Sequence, residues 1–114
     1  MDGSAGNLDT ALSLVERAKR LVPALRARTP LAAELRRIPD ETMADLHANG
    51  LFKAVRPAHF GGLELDPVNL YRLQLELGRG CGSTAWVFGV LSVHTWQLAR
   101  CPLEAQEEVW GTSP

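Results

Sequence analysis

Residues 82–99, GSTAWVFGVLSVHTWQLA, form a mostly apolar segment carrying two tryptophans and one histidine. It is shorter than the roughly 20 apolar residues needed to span a bilayer. It must therefore be buried by protein, and everything around it has to supply that cover. A titratable ring in such a segment sets the functional question, because a buried helix has no need of one.

The remainder of the chain reads as helices separated by Pro and Gly. A first helix is expected from about Leu8 to Arg28, with Leu8, Leu12, Val15, Ala18, Leu21, Val22 and Leu25 at helical spacing. Pro23 should bend it, and Thr29-Pro30 should restart the chain with Thr as cap and Pro at the first helical position. Asp40 is the expected N-cap of the next helix, which stops at Asn49-Gly50. LFKAV should then run extended into the loop RPAHFGGLELD. Asp66-Pro67 starts a helix over VNLYRLQLELG; LQLEL alternates like a strand, but the cap and the Val68/Tyr71/Leu75 spacing favour helix. GRGCG breaks the chain, Ser83-Thr84 cap the apolar segment, and Pro102 opens a last helix, LEAQEEVW, ending at Gly111. The fold class is all-α.

Composition narrows the function. Among 114 residues, 12 basic and 13 acidic side chains leave a net charge of −1, with no basic stripe for nucleic acid. The start, MDGSAGNLD, lacks the basic flank and apolar core of a secretory signal. Cys81 and Cys101 have no metal-ligand or CxxC spacing and read as buried or partly buried thiols in a reducing cytoplasm. No metal site is expected.

Two motifs carry possible chemistry. GCGSTA, residues 80–85, matches the glycine pattern of a dinucleotide-binding turn. However, LQLEL is not the continuous apolar strand that such a turn requires, and no βαβ pattern follows. A tight interhelical turn is the better account. The apolar helix itself places Trp86, Val90, Val93 and Gln97 in a narrow stripe, with His94 about 80° from Trp86. The two rings lie roughly 12 Å apart along the axis, comparable to the long dimension of a tricyclic ring system. An imidazole there would serve as base or hydrogen-bond donor. A lone histidine on an apolar helix is more often a satisfied core residue, and the tryptophans more often packing. His47 and His59 read as solvated, and neither Ser83 nor Ser92 has a triad partner.

Taken in order, DETMADLHANGLFKAVRP, HFGGLELDP, LELGRGCGSTAW, SVHTWQLA and AQEEVWG resemble the N-terminal helical domain of the acyl-CoA dehydrogenase fold, over about Leu35 to Gly111. Within that superfamily the chain is most similar to reduced-flavin-dependent monooxygenases. These are oxygenase components of two-component hydroxylases of phenols, including a phenolic secosteroid.

The resemblance implies several things. Trp86 would lie at the flavin, and His94 and Val90 at the substrate, with His94 as the catalytic residue. The cofactor would be reduced FMN or FAD supplied by a separate reductase, forming a C4a-hydroperoxide with O2 that hydroxylates a small aromatic substrate. The full-length protein would be a cytoplasmic homo-oligomer, commonly a tetramer. Residues 1–111 would be its helical domain and 112–114 the start of a linker to a β-barrel, with a C-terminal helical bundle beyond. The fragment by itself would be inactive. An acyl-CoA dehydrogenase and a helical interaction module without flavin remain the alternatives.

Overall fold

The computed structural model describes residues 4–111, with side chains from residue 8 onward; the expected linker at 112–114 lies outside the described residues. The described chain is helical, without strands: α1 (Ser4–Leu35), α2 (Asp40–Ala48), α3 (Val68–Gly78), α4 (Gly82–Leu98) and α5 (Leu103–Trp110). α3 lies at the centre, packed on α1 along one side and on α4 along the other.

α1 does not break at Thr29-Pro30. It runs through both Pro23 and Pro30 for 32 residues. Both prolines lie on the exposed side. The carbonyls of Lys19 and Arg26 that lose their donors are therefore on the water side, where hydration replaces the bond. The Thr29 hydroxyl, expected as a cap, instead donates back to the Leu25 carbonyl at 3.1 Å. The buried stripe explains the continuity, because Ala11, Leu14, Ala18, Val22, Leu25 and Ala32 stay in phase across both prolines. Leu8 and Leu12, expected in that stripe, are exposed. Arg28 ties the far half of α1 to α2, bonding the buried Thr42 hydroxyl at 3.2 Å and pairing with Asp45 at 2.7 Å. α1 ends at Arg36, which takes a left-handed φ of 56° without being glycine.

α2 begins one residue earlier than expected: Pro39 holds the cap position and Asp40 pairs with Arg37 at 2.8 Å. Gly50, at φ 73°, is the left-handed stop. LFKAV is not extended. Leu51–Lys53 form a 3₁₀ turn, which sinks Leu51, Ala54 and Val55 into the core. A second 3₁₀ turn, Ala58–Phe60, leads into Gly61-Gly62. The loop then doubles back, with Leu63 and Leu65 N–H groups donating to the Lys53 and Ala54 carbonyls at 2.9 and 2.8 Å.

α3 has the expected boundaries but the opposite face inward. Val68, Tyr71 and Leu75 are exposed, whereas Leu70, Leu73 and Leu77 are buried. Both sets have helical spacing, so either could have made the core. α3 and α4 turn sharply at Arg79–Cys81, and a Cβ on Gly80 would come within 2.8 Å of the Val22 carbonyl and 2.9 Å of Leu25 Cβ. That close approach to α1 is the use of this glycine. α4 begins at Gly82, with Cys81 rather than Ser83 or Thr84 at the cap position. The core closes on Phe88, fully buried against α3 and stacked on Phe52 at 5.5 Å. Burying such a side chain stabilises by about 1.5–3 kcal/mol.

The paired glycines of the loop have different tasks, and this makes a prediction. Gly61 takes φ 81° with open space around it, whereas a Cβ on Gly62 would collide with the Arg56 backbone. Gly61→Ala should cost about 1–2 kcal/mol from left-handed strain alone. Gly62→Ala must move backbone and should cost more, about 3 kcal/mol. Urea denaturation of both variants checks the order; equal losses would mean that the Gly62 approach is not fixed.

Candidate functional site

α4 is apolar on all sides, yet the described protein covers only part of it. Thr84, Ala85, Phe88, Gly89 and Ser92 face the core. On the opposite face Trp86 is 71% exposed and Val90 39% exposed, and His94 is exposed one turn further on. These three follow one another at i, i+4 and i+8, so they form a single ridge down the helix. A Trp this open is unusual packing for a protein interior. The exposed face is apolar at Trp86 and Val90 and ends in two polar side chains, His94 and Gln97.

The two polar groups hold each other in place. His94 Nδ1 lies 2.8 Å from Gln97 Oε1, one turn along the helix. With the amide oxygen accepting, Nδ1–H is the donor of this bond. The sequence reading put Gln97 in the stripe without assigning it this work. The i, i+3 spacing of His and Gln was the available signal. Val93, placed in the same stripe, is half-buried and belongs to the edge of the ridge.

The other histidines stand apart from this ridge. His47 is exposed and stacks on Phe52 at 4.7 Å, and His59 is exposed and meets Phe60 edge-on at 4.7 Å. Among the described residues no three His, Cys, Asp or Glu side chains come together as a metal site. Ser92 is buried, with no hydrogen-bond partner for its hydroxyl, and forms no triad. The GCGSTA turn follows a helix, and its first glycine is filled by α1, so it is an interhelical turn and offers no cradle for a pyrophosphate.

Matching of the chain against family models decides its relationship: residues 12–112 match the acyl-CoA dehydrogenase, N-terminal domain. The chain belongs to this family. Among curated relatives it is 41% identical over 97 residues to the flavin-dependent monooxygenase, oxygenase subunit HsaA, of Rhodococcus jostii (strain RHA1), covering 85% of this chain and 25% of that protein. It is 39% identical over 101 residues to the FADH(2)-dependent resorcinol hydroxylase, oxygenase component, of Rhizobium sp. (strain MTP-10005), covering 89% and 25%. The crystal structure of the HsaA monooxygenase from M. tuberculosis superposes with a TM-score of 0.87 at 40% identity, over 91% of this chain and 28% of that one. The chain thus spans about a quarter of the length of these relatives. All-helical architecture is what this family domain has, and the fold agrees with it.

Cys81 and Cys101 differ more than the sequence implied: both are free, but Cys81 is buried and Cys101 exposed. Cys81 sits at the start of α4 and lines a cavity of about 330 Å³ together with Arg36, Arg37 and Val87. Burial pushes its thiol up, but the Thr84 hydroxyl and N–H and the Ser83 N–H donate to the sulfur and outweigh it. The thiol is left below its ordinary value of 9.0.

Because the folded thiol ionises below its unfolded value, ionisation contributes stability that is complete above pH 9.0 and is lost as pH falls through the folded value. In a Cys101→Ser background, the rate of alkylation by iodoacetamide should therefore reach half-maximum below pH 9.0. Thr84→Val should move that midpoint upward. A midpoint at or above 9.0 in the parent would show that burial prevails over the hydrogen bonds.

Proposed function

We propose that this chain is the N-terminal domain of the oxygenase component of a two-component, flavin-dependent monooxygenase that hydroxylates a phenolic ring. The observation that carries this reading is the uncovered apolar ridge of α4, ending in an imidazole held by Gln97. The names of the relatives, all carried by much longer proteins, support it. On this reading residues 112–114 lead towards a β-barrel and a C-terminal helical bundle that complete the pocket. The whole protein is a cytoplasmic homo-oligomer, and a separate reductase delivers reduced FMN or FAD.

The residues present fit a flavin. Trp86 and Val90 offer an exposed apolar surface against which one face of a tricyclic ring would pack. When bound, the reduced flavin supplies the activation of O2. The protein's part is position and dryness. Trp86 covers the ring and keeps water from it. Val90 sets the spacing between that ring and the imidazole, and packs against the aromatic substrate. His94 acts on the substrate hydroxyl: Nε2 accepts the O–H proton, charge builds on the phenolic oxygen, and the ortho carbon becomes the more nucleophilic. Gln97 Oε1 holds the Nδ1 proton and so stabilises the imidazolium formed. Gln97 thereby positions the base without touching the substrate.

An acyl-CoA dehydrogenase shares the fold, but an acyl chain gives the His94 imidazole nothing to deprotonate at this position. That contrast favours hydroxylation.

In the full-length protein, His94→Ala should lower hydroxylated product by roughly 10²- to 10⁴-fold while leaving reduced-flavin affinity within about twofold. Trp86→Ala should do the reverse in kind, weakening flavin binding and lowering the ratio of product formed to flavin oxidised. Anaerobic flavin titration followed by product analysis measures both. Unchanged turnover in His94→Ala would remove the base from the mechanism. A flavin bound tightly when oxidised, and reduced by an acyl-CoA, would make the protein a dehydrogenase.

A further inference from the structure

A helix with a single apolar stripe turns that stripe inward, and its rotation is thereby set. α4 lacks such a stripe. The face buried by Phe88, Ala85 and Ser92 is bordered by Leu91 on one side and Val93 on the other, both as apolar as the core itself. Apolar burial is non-directional, so it does not by itself choose between these neighbouring faces. The choice matters at the ridge. A turn of about 10° moves a group lying about 6 Å from the helix axis by about 1 Å. Misplacement on that scale at a reaction site costs up to about 10²-fold in rate.

One directional contact reaches α4 from α3. The half-buried Gln74 donates from Nε2 to the Ala85 carbonyl at 3.1 Å. Among the described residues no other side-chain hydrogen bond joins α3 to α4. The buried Ser92 hydroxyl, on the same helix, finds no partner and so fixes nothing. Gly89 makes the Gln74 contact possible. A Cβ there would collide with the amide, lying 2.6 Å from its Cδ and 3.0 Å from its Oε1. The Gln74 amide therefore occupies the space of a side chain that α4 does not have. Gly89 stands three residues after Trp86 and one before Val90, about 60° and 100° from them around the axis. Ala85, whose carbonyl is held, immediately precedes Trp86.

We propose that Gln74 is a positioning residue, whose bond to Ala85 across Gly89 fixes the rotation of α4 and so the aim of Trp86 and His94. The proposal rests on the reading of the ridge as the reaction face. Gln74 stands behind that ridge and acts only through α4. A hydrogen bond suits this task because its strength falls steeply with misalignment, whereas apolar contact does not.

The test uses the full-length protein and three variants. Gln74→Met keeps the length of the side chain but has no N–H to donate. Gly89→Ala pushes the amide away. The double variant Gln74→Ala, Gly89→Ala removes the amide and leaves a methyl group in its space. The first readout needs no flavin: fluorine NMR of protein labelled with fluorotryptophan, the signals assigned with Trp86→Phe, Trp96→Phe and Trp110→Phe. The Trp86 and Trp96 signals, both from α4, should shift in Gln74→Met and Gly89→Ala, and the Trp110 signal from α5 should not. The second readout is the ratio of hydroxylated product to flavin oxidised, which should fall on the order of tenfold in both. In the double variant the urea midpoint lost in Gly89→Ala should return, because the collision is gone, while the ratio stays low, because the bond is gone. Unshifted α4 signals with the parental ratio in Gln74→Met would overturn the proposal. So would a double variant that regains the ratio together with the midpoint, since Gln74 would then only fill space. Shifted signals in a protein whose parent forms no hydroxylated product would uphold Gln74 as the anchor of α4 and reject the chemistry assigned to the ridge.

Discussion

The structure depends on α4, a helix apolar all round and covered on one side only. Its inner face, with Phe88 and Ala85, supplies much of the core against α3. Its outer face, with Trp86, Val90 and Leu91, presents to solvent the kind of surface that proteins ordinarily bury. Satisfying the inner face requires α3 to approach closely, and that in turn requires a turn without side-chain bulk at Gly80, where α1 also closes in. The position of α3 thus follows from the need to bury half of α4, and α1 packs on the other side of α3. The other half stays exposed.

The outer face is also where chemistry is possible. An imidazole in a core would be surrounded and its second nitrogen satisfied. His94 instead has one nitrogen fixed by Gln97 and stands on the exposed side. A hydrogen bond to one ring nitrogen determines the state of the other, which is what a base needs. Cys81 stands at the other end of α4, in the N-cap position, where the neighbouring polar groups of Thr84, Thr29 and Ser83 hold its thiol below the usual ionisation range. That contact is structural, and it lies away from the ridge.

Much of this was readable from the residues. The bounds of α3, the start of α5 at Pro102 and the left-handed stop at Gly50 follow from local rules of capping and backbone freedom. These signals act within one turn, so no distant contact is needed to interpret them. The stripe of Trp86 and Val90, with His94 about 80° from Trp86, was visible for a similar reason, since spacing on a helix is fixed by the helix itself; the pairing of Trp86 with His94 came from the family resemblance. Thr29-Pro30 misled because proline's local preference for a helix start competes with a buried stripe that only the folded α1 reveals. Leu51–Lys53 read as extended because a short apolar run has no period long enough to distinguish a buried turn from a strand.

The sequence by itself determined that the chain is helical, where most of its helices stop, and that one of them is apolar on every side. Only the tertiary structure decided which side of each helix faces inward. In α3, Val68/Tyr71/Leu75 and Leu70/Leu73/Leu77 meet the same periodic test, and the second set is buried because α1 and α4 lie there. The bond from Gln74 to the Ala85 carbonyl was likewise invisible, since it forms only once α3 and α4 pack against each other. Periodicity specifies a helix and its stripes. Burial is a property of neighbours, and neighbours exist only once the chain has folded.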